Sequence, residues 1–140
     1  MFSDPAQREK IPDPNALATF TASRLDWRTL DKPDHRARHA LICRLLRIRH
    51  SEIVPRLKGV AGNSGVAAVN EAQAIDLRWR LGDGTQLTMI ANLGDTPCKV
   101  PFEPDGRVLF ETEAGIAAQA AATALPGWSV AVLIDDTASQ

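Results

Sequence analysis

At 140 residues, 44% of them hydrophobic, the chain has the size and apolar content of a single globular domain; it is too short for a complete (β/α)8 barrel, which takes about 250 residues. Sixteen basic side chains stand against 17 acidic ones, and this near-balance excludes a protein that gathers nucleic acid or an anionic membrane by its net field. No stretch approaches the roughly 20 consecutive apolar residues of a membrane span.

Residues 1–32 carry Pro5, Pro12 and Pro14 among scattered polar residues with little sustained periodicity. They are expected to form an extended arm pinned by Phe20, Leu25, Trp27 and Leu30. A loop of that length in a compact domain points to a site or to a larger body. Met1 to Lys10 lacks the apolar core of a signal peptide, so the cytoplasm is the expected location.

Pro33, with Asp31 and Asp34 beside it, marks a helix start: proline loses no needed donor there, and carboxylates meet the positive end of the dipole. One amphipathic helix is predicted over 33–52. Ala37, Leu41, Leu45 and Ile48 share a stripe that Ile42 and Leu46 widen, while Arg36, Arg44 and Arg47 make the opposite face. So broad an arc asks for more than one covering body, and self-association through the helix is one way to supply it.

Residues 53–140 read differently. Pro55 ends a helical turn, and Gly59, Gly62 and Gly65 with Asn63 and Ser64 predict turns. Ile75, Leu77, Trp79 and Leu81 then alternate with Asp76, Arg78 and Arg80, a strand with one wet face. Gly82-Asp83-Gly84 closes a hairpin onto Gln86 to Asn92. Asn92-Leu93-Gly94-Asp95 turns before a strand over Cys98 to Phe102, Pro104-Asp105-Gly106 turns before Arg107 to Glu111, and Trp128 to Ile134 makes a last apolar strand. This spacing predicts an antiparallel β-sandwich. Ala114 to Ala124 fits a helix by composition and a loop or edge strand by position. The fold class is mainly β with an N-terminal helix: an arm, one amphipathic helix and a sandwich.

Little in the chain offers chemistry. Cys43 and Cys98 form no CxxC pair and read as buried, reduced thiols. His35 and His39 stand four apart on the helix, but arginines lie between them and no HExxH occurs, so no metal site is expected. Trp79 and Trp128 read as core, and Trp27 is freer to meet a sugar ring. Asp31 and Asp34 belong to a helix start, Asp83, Asp95 and Asp105 to turns, and Asp76 to the wet strand face. Asp13 before Pro14 fits an Asx-type turn.

The order Pro12-Asp13-Pro14-Asn15, Thr19-Phe20, Ser23-Arg24-Leu25-Asp26-Trp27, Pro33-Asp34-His35 is one that packing does not require. It resembles the C-terminal part of malto-oligosyltrehalose trehalohydrolases, glycoside hydrolases of the α-amylase superfamily. The resemblance runs from about Pro12 to Ile134 and is specific in the arm. It implies that 33–52 corresponds to the last barrel helix and 53–140 to a C-terminal sandwich of the α-amylase type. His35 then sits as a structural polar group where barrel and sandwich meet. It further implies that the hydrolytic carboxyl groups lie in barrel strands before this region, so the chain carries no catalytic residue and needs no cofactor. Its partner would be a (β/α)8 catalytic barrel, in cis or in trans. Asp13, Asn15 and Trp27 would lie at the cleft rim, within reach of a maltooligosaccharide. Asn15 stands where the family usually has Gln, and Ala16-Leu17-Ala18 replaces a more polar stretch. Two other readings are a free-standing carbohydrate-binding sandwich and an interaction protein docking in trans on a glycosidase barrel. A domain of a branching or debranching enzyme fits the Ser-Arg-Leu-Asp-Trp arm less well.

Overall fold

The computed structural model describes residues 12–69, 74–100 and 104–137. The chain divides into two units between Leu41 and Ile42.

In the first unit, short polar side chains bond to nearby backbone and turn the chain where periodicity is silent. Asp13 accepts the Asn15 N–H on Oδ1 at 2.9 Å and the Ala16 N–H on its carbonyl at 3.1 Å, an Asx turn that leads into α1 (Leu17–Ser23). Asp26 caps a 3-10 turn, Trp27–Asp31, by accepting the Arg28 N–H at 3.1 Å. Helix α2 (Pro33–Ile48) follows, with Asp34 in its first turn as expected. The arm predicted to be extended is therefore partly helical. Its expected anchors Phe20, Leu25, Trp27 and Leu30 are exposed.

The second unit opens with the end of α2, a π-helical segment Arg49–Ile53 and a 3-10 turn Val54–Arg56 that contains Pro55. Among the described residues, five antiparallel strands follow: β1 (Gly65–Val69), β2 (Ala74–Arg80), β3 (Gln86–Asn92), β4 (Arg107–Glu111) and β5 (Ser129–Asp135). They form one sheet in the order β1-β2-β3-β5-β4, with helix α3 (Ile116–Ala122) between β4 and β5. Strand β1 occupies a stretch whose glycines predicted turns. Gly65 is there for closeness rather than bending, since a Cβ on it would stand 2.8 Å from the Trp79 indole. The β2–β3 hairpin closes as expected, with the Asp83 carboxylate accepting the Thr85 N–H and hydroxyl at 3.1 and 2.7 Å. Cys98 lies in an isolated bridge to Leu125 rather than a full strand, residues 99–100 are not strand, and the end of that predicted strand, 101–102, falls outside the described residues.

Each face of the sheet has its own core. Ile90, Ala131 and Leu133 pack with Ile116, Ala117 and Ala120 of α3 and with Leu125. Leu81, Leu87, Leu109 and Ile134 pack on the other face with Ile48, Ile53 and Trp79. Each Leu or Ile fully buried there contributes roughly 1.5–3 kcal/mol. Among the described residues, one face is covered by α3 together with Leu125 and Val100, and the other by Ile48 and Ile53. Helix α3 resolves the ambiguous 114–124 stretch, and its start is fixed from outside. The Glu111 carboxylate accepts the Gly115 and Ala117 N–H groups at 2.7 and 2.9 Å.

Two arginines tie the segment after α2 to the sheet. Arg56 reaches Asp136 at 2.9 Å and Asp83 at 3.3 Å, the latter an ionic contact because its buried Nε makes no hydrogen bond. Arg107 reaches Glu52 at 2.8 Å and Asp136 at 3.2 Å. The Arg56 hydrogen bond, with Arg107 adding to it, holds the Asp136 carboxyl below the usual carboxylate range, and the Thr85 hydroxyl does the same for Asp83. A depressed folded-state pKa gives stability that is complete above the unfolded value of about 4 and lost as pH falls through the folded one. Thermal midpoints measured from about pH 7 to about pH 3 should therefore fall at the acid end, and less steeply in Asp136→Asn. Equal slopes for the two proteins would remove Asp136 from the account.

Candidate functional site

Of the arm residues expected to meet sugar, Asp13 and Asn15 share one turn, where Oδ1 of the Asp13 carboxylate accepts the Asn15 N–H. Trp27 stands in a separate element, the 3-10 turn, and is 72% exposed. Beside it, the Asp26 carboxyl is held below the usual range by its hydrogen bonds from Arg28, 2.9 and 2.8 Å from the side chain. His35 and His39 line one shallow depression with Leu30, Asp34 and Arg38. No group of three or more His, Cys, Asp or Glu placed to hold a metal ion occurs among the described residues.

The carboxylates of the second unit are largely committed to structure. Asp76 corrects the expectation of a wet strand face: its side chain is 1% exposed and paired with Arg78 through two hydrogen bonds of 3.0 and 3.1 Å. The reason is its register. Asp76 lies opposite Ile90, which is fully buried, so its face of β2 meets the apolar core rather than solvent. Glu52 and Asp136 hold arginines, Glu111 caps α3, and Asp83 and Asp105 accept turn N–H groups.

A different arrangement stands at the end of β3. Asn92 is fully buried, and its side chain organises two loops at once. Its Nδ2 donates to the Thr96 carbonyl at 2.8 Å and the Leu125 carbonyl at 3.2 Å, while its Oδ1 accepts the Gly94 N–H at 2.9 Å. The Cys98–Leu125 bridge, with bonds of 3.0 and 2.8 Å, adds a second tie between the loops. Gly94 in turn accepts the Trp128 N–H at 2.9 Å, and Gly127 lies so near Asp95 that a Cβ would stand 2.5 Å from its carbonyl oxygen.

This packing places Trp128 in the left-handed region, at φ 53°, with the residue 71% exposed. The expectation that Trp128 is core is thereby corrected, whereas Trp79 is half-buried and joins one cluster. Strand β5 starts one residue later, at Ser129, and Trp128 belongs to the turn before it. The signal was present in Pro126-Gly127, a turn dipeptide immediately ahead of the tryptophan. The organising role of Asn92 had no such signal, because a buried amide and a turn-forming one look alike in sequence.

Comparison with known proteins bears on this second unit most directly. Residues 61–132 match the family described as a domain of unknown function, DUF3459. The chain belongs to this family. The matched residues of the DUF3459 chain run from just before β1 into β5 and include both loops tied by Asn92. Among solved structures, the DUF3459 chain is similar to a protein from Salmonella typhimurium provisionally assigned as an alpha amylase. The identity is 28% and the TM-score 0.72, over 94% of this chain and 22% of that one. The chain thus spans about a fifth of the length of that relative. No curated protein matches. The fold is mainly β, of the kind found at the C-terminus of α-amylases. No helix among the described residues is long and apolar enough to cross a membrane. Both cysteines are free thiols, and burial pushes the Cys98 thiol up.

Proposed function

We propose that the DUF3459 chain is the non-catalytic C-terminal support domain of a glycoside hydrolase of α-amylase type. We further propose that its parent releases trehalose by hydrolysing the α-1,4 bond next to the terminal trehalose unit of a maltooligosyl trehalose. The observation that carries the first step is the asymmetry of the match, nearly all of this chain against about a fifth of the Salmonella protein. The commitment of its acids to arginines, turns and a helix cap supports the non-catalytic assignment. Hydrolysis with retention needs two carboxyl groups about 5–5.5 Å apart across a sugar-sized gap. The trehalose assignment rests on the arm motifs from Pro12 to His35.

In this reading the arm (1–32) and helix (33–52) join a (β/α)8 barrel, in cis or in trans, to the support unit (53–140). Asp13, Asn15 and Trp27 lie toward the rim of its cleft. The exposed Ile42 and Leu46 of α2 favour an apolar covering partner. The test is to express the whole reading frame that contains this chain, incubate its product with maltooligosyl trehalose and separate the sugars released. Trehalose should appear with the whole product and not with the 140-residue chain alone. Cleavage of linear maltooligosaccharides without trehalose would leave a general α-amylase, and no glycosidic cleavage of either substrate would overturn the reading.

A further inference from the structure

A tryptophan side chain turned to solvent forgoes one of the largest hydrophobic gains available to a residue. Trp128 does so from a backbone conformation that a bulky residue rarely adopts, at φ 53° with the residue 71% exposed. Nothing in the turn requires tryptophan: glycine would take this conformation without strain. The conformation is imposed by the loops described above, where Asn92, the Cys98–Leu125 bridge and the close approach of Gly127 to Asp95 leave the turn little freedom. Strain and exposure of this kind, held by a buried polar network, mark a ligand site more readily than a packing element.

We propose that Trp128 is a binding platform for an α-glucan, with Leu93 and Asp95 on the adjoining loop as its flanks. Leu93 is itself 48% exposed and Asp95 is exposed, and the two bracket Gly94, whose carbonyl holds the Trp128 N–H. A pyranose ring offers an apolar face of C–H groups to an indole and a rim of hydroxyls, and Asp95 supplies an acceptor for such a rim. Because the loops are fixed before binding, little ordering entropy is lost on contact. Trp27 is the weaker candidate. It is equally exposed, but among the described residues its turn is held by bonds between near neighbours, around Asp26 and from Lys32 and Arg36. The ligand class rests on the glycosidase reading above, whereas the place of the site rests on the geometry of these loops.

The experiment is a titration of maltoheptaose into the full 140-residue chain, followed by tryptophan fluorescence and calorimetry. Saturable binding is expected, at least about tenfold weaker in Trp128→Gly. Trp128→Gly also suits the backbone, so its thermal midpoint should be equal to or above that of the parent chain, which separates lost binding from lost fold. Absence of saturable binding, or binding that survives Trp128→Gly, overturns the proposal. Trehalose release by the whole gene product alongside either result would leave the glycosidase reading standing and remove this site alone.

Discussion

Replacing Arg78 by alanine should lower the unfolding free energy of the sheet unit by about 3 kcal/mol. Asp76 is 1% exposed on the core side of β2, and Arg78, 29% exposed, meets it through both guanidinium and carboxylate edges. Attraction between the two charges offsets the cost of taking the carboxylate out of water. With the arginine gone, Asp76 would remain buried against Ile90 with its nearest cation removed. Breaking such a pair from one side costs about 3–5 kcal/mol, and the lower end applies because Arg78 keeps partial contact with water. Removing both charges together is a different experiment. Asp76→Val with Arg78→Val should recover most of the loss, since an apolar pair suits that face of the sheet and strands no charge. Urea denaturation measures both: the midpoint should fall in Arg78→Ala with an unchanged slope and return toward the parent value in the double variant. A loss below about 1 kcal/mol in Arg78→Ala would show that Asp76 is solvated despite its position.

The Asp76–Arg78 pair also shows where sequence reading stops. Alternation of Ile75, Leu77 and Trp79 with Asp76, Arg78 and Arg80 located the strand and its hairpin, because period two follows from backbone geometry alone. Which face was wet did not follow, since both faces of this sheet are covered and one of them buries a charge pair. Burial of a charge depends on the partner strand and the core around it, neither of which the local pattern contains. Helix α2 was legible from the stripe of Leu41, Leu45 and Ile48 and from Pro33 at its start. The strand β1 was not, because a sequence cannot distinguish a glycine that bends the chain from one that makes room for the Trp79 ring. The two tryptophans divide in the same way. Trp79 continues a periodic run and is half-buried, whereas Trp128 stands after a Pro-Gly turn, where periodicity from β5 cannot be extended backward to it. The arm's motifs carried family resemblance without carrying conformation, and its local turns came from Asp13 and Asp26 bonding to neighbouring N–H groups.

Asn92→Ala should cost about 2–3 kcal/mol and should weaken maltoheptaose binding even though every residue of the platform remains. The side chain makes three hydrogen bonds from a fully buried position. The groups it leaves are not equally exposed to the loss. The Leu125 carbonyl still accepts the Cys98 N–H at 3.0 Å, so it keeps one partner. Thr96 is exposed and Gly94 half-buried, so water can replace part of what the Thr96 carbonyl and the Gly94 N–H give up. The vacated volume adds a further penalty beneath the loops. Freed of the amide, the Gly94 loop can move relative to Leu125, and the carbonyl that fixes Trp128 moves with it. Ordering those loops on binding would then oppose association, so affinity should fall without any change in the contact surface. Asn92→Asp is the sharper variant, because it keeps the acceptor for Gly94 while replacing the donor to Thr96 and Leu125 with a buried negative charge; its cost should exceed that of alanine. Denaturant titration of both variants, with binding measured well below their melting temperatures, separates the two effects. Normal affinity in a destabilised Asn92→Ala would mean that Trp128 needs no support from the loops beneath it.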